Sequence, residues 1–305
     1  MNTSKHLLIA FMVMVSSEAL ACDICGCAMS GNYGGIYPQF TKSIIGFRYG
    51  FQRFQHPNTD LNFNGTSRVL RDEFSTYELW GRFYPHPRIQ VFAFVPFKNH
   101  VREETERITG ISGIGDASLM INYTLFNTAD STYSKWGHAL LLGLGVKLPT
   151  ARYFQRDETG ALLPAQFQLG TGAYTFSFHS NYTLRYDAWG LNFDYAHRMN
   201  EENERSYQFG DQQAASANLF YRFTPRDFAV LPNAGFSFEY YGTDTEFGME
   251  KEQTGGELWL ANAGADIYFN RFFFRCSVQV PLRQKIPFAQ PKTEPRLSFG
   301  IAYTY

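Results

Sequence analysis

From about residue 42 to the C-terminus, apolar and polar positions alternate with a period of two. The last segment shows the pattern: Leu297, Phe299, Ile301, Tyr303 and Tyr305 fall on one face, and Ser298, Gly300, Ala302 and Thr304 on the other. Successive side chains of a strand point to opposite faces, so this segment predicts a strand with one aromatic, greasy face and one small, polar face. Ile45, Phe47, Tyr49 and Phe51 alternate in the same way with Gly46, Arg48, Gly50 and Gln52. So do Tyr174, Phe176, Phe178, Tyr182 and Leu184 with Thr175, Ser177, His179, Asn181, Thr183 and Arg185. Twelve runs are predicted, at about 42–54, 72–84, 88–98, 115–127, 137–148, 172–185, 188–199, 212–223, 229–241, 256–269, 271–281 and 295–305. Each is long enough to cross a bilayer when tilted, and an even count is usual for bacterial single-chain barrels.

The connections give an independent test. Long segments at 55–71, 99–114, 149–171, 200–211, 242–255 and 282–294 alternate with short ones at 85–87, 128–136, around Asp187, 224–227 and 270–271, with 128–136 the least pronounced. Short periplasmic turns and longer outside loops produce this rhythm, and a Greek-key sandwich has no reason to. A twelve-stranded barrel is too wide for one apolar face to fill, so the apolar face is expected to meet lipid and the polar face to line the lumen. The expected fold is an all-β, transmembrane, antiparallel up-and-down barrel with both termini periplasmic. Its last strand, ending on Tyr305, resembles the assembly signal of bacterial outer-membrane barrels.

Composition agrees. The chain has 305 residues, 44% hydrophobic, 17% aromatic and 18% charged, with a mean hydropathy of -0.29. This is too apolar for disorder. Beyond residue 21 no run of 18 apolar residues exists, which excludes a bundle of transmembrane helices. A net charge of -1 without a polybasic block gives no case for nucleic acid.

Residues 1–21 read as a secretory signal peptide: Lys5 and His6 begin it, Leu7 to Val15 is apolar, and Ala19-Leu20-Ala21 is a small-residue cleavage site. The domain organisation expected is therefore a signal at 1–21, a cysteine-rich periplasmic segment at 22–40 and a barrel at 41–305. Three of the four cysteines, Cys22, Cys25 and Cys27, crowd together with Met29 close behind. Thiolate and thioether sulfur suit a soft ion, Cu(I) or Zn(II). Lipidation of Cys22 and a Cys22–Cys25 disulfide or redox pair are the competing readings. The fourth, Cys276, shares the apolar face of Phe272, Phe274, Val278 and Val280 and reads as a small lipid-facing residue.

Alternation assigns a charged set to the lumen. It comprises Arg48, Glu78, Arg82, Lys147, His179, Arg185, Asp194, Arg198, Arg222, Glu239, Asp266 and Arg275, with Lys98 and Asn122 beside them. Such a lining either forms a path with a local field or fills a plugged lumen with ion pairs. His138 and His197 fall on the outward face, where some barrels carry lipid-hydrolysing residues. No Gly-x-Ser-x-Gly and no Ser–His–acid set accompanies them, so an enzyme is not expected.

The middle of the chain carries wording of its own. Gly113-Ile114-Gly115-Asp116-Ala117-Ser118-Leu119 leads into Ile121-Asn122-Tyr123, Leu144-Gly145-Val146-Lys147-Leu148-Pro149-Thr150 ends a strand, and Leu169-Gly170-Thr171-Gly172-Ala173-Tyr174 follows. Trp189-Gly190-Leu191-Asn192 and Gln208-Phe209-Gly210-Asp211 come next. This order, over roughly 110–225, resembles the outer-membrane transporters grouped as the meta-pathway phenol-degradation family, with one departure at Ala151, where glycine is common. The N-terminal cysteines with Gly31-Asn32-Tyr33 and Pro38-Gln39-Phe40 resemble a subgroup of it. The resemblance implies an outer-membrane location in a Gram-negative bacterium and transport of a small solute. The alternatives are a closed barrel that docks a metal or a periplasmic partner at its N-terminal segment, and, behind it, a lipid-modifying enzyme.

Overall fold

The computed structural model describes residues 42–56, 70–104, 107–128, 135–225, 228–286 and 291–305. The signal peptide, Cys22, Cys25, Cys27 and Met29 lie outside the described residues. In chain order the strands are β1 (Ile44–Gln55), β2 (Leu70–His86), β3 (Ile89–Glu104), β4 (Arg107–Ile114), β5 (Ser118–Asn127) and β6 (Trp136–Lys147). They continue with β7 (Thr175–Tyr186), β8 (Trp189–Asn200), β9 (Tyr207–Gln208), β10 (Gln212–Tyr221), β11 (Phe228–Tyr241) and β12 (Thr245–Glu246). The last are β13 (Met249–Glu250), β14 (Gly256–Phe269), β15 (Phe272–Lys285), β16 (Lys292–Thr293) and β17 (Arg296–Thr304).

Neighbouring long strands pair antiparallel in chain order, and β1 pairs with both β2 and β17, so the sheet closes as a barrel of 12 staves. β4 and β5 form one stave: β3 pairs with β5 at its start and with β4 at its end. The residues between them, Gly115 to Ala117, break the alternation, so odd positions face inward in β4 and even ones in β5. A second break lies in β15, where Leu282 is an extra residue between Pro281, opposite Leu260, and Arg283, opposite Trp259. Segment 99–104, expected as loop, continues β3 and pairs with β4, raising a hairpin above the rim. The connections 201–211 and 242–255 contribute β9, β12 and β13 to a separate three-stranded sheet.

The outward face is apolar across the staves. Leu144 is 69% exposed, and Phe83, Ile121 and Phe236 are also among its most open side chains. Soluble monomers rarely carry a continuous apolar coat of this extent, whereas lipid requires one. At the short-turn end Trp136 packs on Tyr186 and Trp189 on Tyr221, with ring centroids 4.7 and 4.9 Å apart. These are the aromatic pairs of an interfacial girdle. Cys276 is a free, exposed thiol on this outer face, as alternation implies. Leu144→Arg places a charge in the apolar coat and is expected to cost about 2–4 kcal/mol of stability. Urea titration of the barrel refolded in liposomes measures it.

Candidate functional site

The inward face differs from the expected uniform polar lining. Along β1, β11 and β14 it reads apolar, then polar, then apolar from the short-turn end, whereas β3 ends polar and β7 is polar throughout, from Arg185 to Thr175. In β1 the inward sequence is Ile44, Gly46, Arg48, Gly50, Gln52 and Phe54. In β3 it begins with Gln90, Phe92 and Phe94, continues through Pro96 and Lys98, and ends at His100 and Arg102. The first layer gathers Ile44, Trp80, Phe92, Phe94, Met120 and Phe273 into one buried cluster, and Phe220 with Leu231 into another. Tyr268 packs against both. Trp80 lies over Gly46: a Cβ on that glycine would stand 2.7 Å from the indole, so only glycine leaves room for it. The lumen departs from a uniform polar lining here because large inward side chains of neighbouring staves pack on one another.

The upper apolar layer is closed by a loop. Phe54, Phe74, Tyr241, Leu258 and Leu260 from the wall pack with Leu163 and Phe167 from the connection between β6 and β7. The Phe167 ring meets Phe74 and His100 edge-on, with centroids 6.0 and 5.7 Å away, and its carbonyl accepts from His100 Nδ1 at 3.0 Å. Arg102 lies 5.2 Å over the same ring while donating to both oxygens of Asp72, at 2.7 and 2.8 Å. His56 Nε2 lies 3.0 Å from Asp72 Oδ2.

Two anchors hold the loop. Asp116, freed by the break between β4 and β5, accepts from Ala151 N at 3.0 Å and from Thr171 N at 2.8 Å, one contact at each end of the loop. Above it, Asp244 accepts from the Tyr207 hydroxyl, from Gln166 Nε2 at 3.3 Å and from Gly210 N at 2.6 Å, tying three connections together. Outside the spans, the Thr159 hydroxyl and the N–H groups of Ala161 and Thr159 hold the Asp157 carboxyl below its usual range, and Arg107 adds to this. Burial pushes the Tyr153 phenol up to about 12.

Between the two apolar layers lies a polar chamber of about 300 Å³. Its charged lining is Arg48, Lys98, Lys147, Arg198, Arg275 and Arg296 against Glu78, Asp116 and Asp266. Arg48 donates to Glu78 at 2.5 Å, and Arg275 grips both oxygens of Asp266 at 2.7 Å. Arg296 donates to both oxygens of the buried Glu239 at 2.9 Å, just above the chamber. Lys147 stands 4.0 Å from Asp116, whose oxygens are already occupied by the loop. The lining therefore carries an excess of positive charge.

Of the residues that alternation assigns to the lumen, Arg48, Glu78, Lys147, His179, Arg198, Asp266 and Arg275 line this chamber. Arg82 instead sits in the lower aromatic layer, its guanidinium 5.2 Å from the Tyr84 ring and 6.0 Å from that of Phe92. Arg185 lies near the short-turn end of β7, and Arg222 follows the last residue of β10, both below the chamber. Asp194 is on the inward face, bonded by Asn181 Nδ2 at 2.5 Å. Glu239 is fully buried and accepts from Tyr241 as well as Arg296. His138 is outward and within 2.8 Å of the Tyr182 hydroxyl, and His197 is outward too, two staves along. Arg296 and the inward amides Asn218, Asn262 and Gln279 line the chamber as well, and the parity of Leu297 and Phe299 already points Arg296 inward.

No protein-family model matches the sequence, and no curated protein does. Among solved structures the chain is similar to an outer membrane channel from Pseudomonas putida, at 14% identity and a TM-score of 0.67 over 90% of this chain and 100% of that one. It is also similar to the beta domain of a Bordetella autotransporter, at 9% identity and a TM-score of 0.50 over 87% of this chain and 100% of that one. Both are outer-membrane barrels, and at these identities they share the fold alone.

Asp116→Ala removes the anchor at both ends of the loop. Limited trypsin digestion is expected to cut at Arg152 and Arg156 several-fold faster, while the barrel keeps its heat-modifiable gel mobility.

Proposed function

We propose that the chain is an outer-membrane channel that admits a small, negatively charged solute, with both termini in the periplasm. One observation carries the reading: a closed barrel with a lipid-facing coat encloses a polar chamber whose fixed charges are positive in excess. Fixed lumen charge sets the sign of the ions a narrow pore passes. The fold shared with the Pseudomonas putida channel supports passage, and the resemblance to the meta-pathway phenol-degradation transporters points the same way. Entry from outside requires the Phe167 loop to give way, and exit requires the lower aromatic layer to do so.

The same two layers favour a second reading, a closed barrel that serves as a docking platform. Reconstitution in planar bilayers separates the two. Steady single-channel currents with a reversal potential on the anion side in a KCl gradient support the channel. Lys98→Glu with Lys147→Glu is expected to move that potential toward the cation side. Absence of current and of liposome swelling under every voltage sinks the channel and leaves the platform.

The N-terminal segment is proposed as a soft-metal site, with Cys22, Cys25, Cys27 and Met29 as sulfur donors to Cu(I) or Zn(II). Native mass spectrometry of the mature protein is expected to retain one metal ion, and Cys25→Ser with Cys27→Ser to lose it. A diacylglyceryl mass on Cys22, or a two-proton loss without metal, would replace this reading with lipidation or a disulfide.

A further inference from the structure

The two sides of the chamber differ in chemistry, and the difference names a class of solute. On the side of β3, β5, β6, β7 and β8 the lining carries Lys98, Lys147, His179 and Arg198, with Asp116 as its one carboxylate and the hydroxyls of Ser118, Thr175 and Ser177 between them. Lys98 makes no ion pair or hydrogen bond to the protein among the described residues. On the side of β10, β11, β14 and β15 the lining is carboxamide and hydroxyl: Ser216, Asn218, Asn233, Asn262, Ser277 and Gln279. The charges on that side, Asp266 and Arg275, cancel each other through two bonds of 2.7 Å.

The amides are fixed by one another. Asn218 Nδ2 donates to Ser216 Oγ at 3.3 Å, and Asn262 Nδ2 donates to Asn218 Oδ1 at 3.2 Å. Gln279 Nε2 and Ser237 Oγ both donate to Asn262 Oδ1 at 3.1 Å. This orders the wall without exhausting it. The hydroxyls of Ser277 and Ser298 and the carboxamide oxygen of Asn233 form no hydrogen bond to the protein among the described residues, and all three residues line the chamber. Phe94, Pro96 and Met120 add an apolar patch beside Lys98.

We infer that the solute is a small carboxylate carrying several hydroxyl groups. Its carboxylate faces Lys98, Lys147 and Arg198, its hydroxyls face the amide wall, and its C–H surface rests on Phe94. The inference rests on the channel reading above and narrows it. An unsubstituted carboxylate satisfies the cationic side and strips water from the amide side without replacing it. A neutral polyol does the reverse. A site built to hydrogen-bond hydroxyls discriminates strongly against an analogue that lacks them.

The test is calorimetric titration of the full barrel in detergent with gluconate, hexanoate and sorbitol, beside bilayer conductance of the same preparation. Gluconate is expected to bind at least about tenfold more tightly than either of the others. Asn218→Ala with Asn262→Ala is expected to bring gluconate down to the affinity of hexanoate and leave hexanoate unchanged, whereas Lys98→Ala weakens both acids. Heat-modifiable gel mobility confirms that each variant is folded. If the double variant is not, Ser277→Ala serves in its place, with gluconate binding alone expected to fall. Equal binding of gluconate and hexanoate, sorbitol binding as tight as gluconate, or gluconate affinity untouched by the amide-wall variants overturns the inference. A barrel that conducts KCl without preferring gluconate loses the solute class and keeps the channel. One that binds gluconate and conducts nothing loses the channel reading alone.

Discussion

Backbone closure is the constraint on which everything else here depends. Hydrocarbon offers no partner to a bare N–H or C=O, so a spanning sheet must have no edge. β1 meets this by pairing on both sides, from Ile44↔Thr304 to Phe51↔Leu297 with the last stave and from Ile44↔Arg82 to Gln55↔Arg71 with the second. Once the ladder is closed, each residue has only two places to put its side chain, lipid or lumen. The chemistry of the interior is then a list of every second residue, and its height in the barrel is fixed by register.

Height matters because the interior is stratified. The aromatic layer around Trp80, Phe92 and Phe273 and the loop-capped layer around Phe54, Phe167 and Leu258 keep the charged middle between two apolar slabs. Charges in such a place are tolerable only when paired or hydrated. Arg48 with Glu78, Arg275 with Asp266 and Arg296 with Glu239 are paired at short range, and all three arginines border the chamber. The chamber is the part of the lumen where charged and amide side chains border open space. That links packing at the two ends to binding in the middle.

Much of this was legible in the sequence, and the limits have physical causes. Period-two alternation located all twelve staves, as at 256–269, where the expected and observed bounds coincide. Loop length gave the two ends. The same alternation put Arg48, Glu78, Lys147 and Asp266 on the inward face. It failed where apolar residues occupy both faces: Trp80, Phe92 and Phe94 have the parity of the lumen, but an assumption about barrel width kept them from being read as filling. The loop that caps the chamber was illegible for a different reason. Its contacts join residues far apart in the chain, such as Asp116 with Thr171 and His100 with Phe167, and no local pattern encodes them.

Leu282 has a genetic consequence. Below it, odd residues of β15 face the lumen, and above it even ones do, so that Gln284 turns inward to bond Pro291 O and Thr293 N at 2.7 and 3.0 Å. A single extra codon has changed the face frame of the strand. Losing that codon would leave the translated reading frame intact and remove the bulge, with Pro281 and Arg283 then consecutive opposite Leu260 and Trp259 and every later residue of β15 on the face it has now. Length variation in this protein is therefore tolerable in the connections, where parity has no meaning. Within a stave, insertions or deletions of one residue are heard as errors unless a bulge absorbs them.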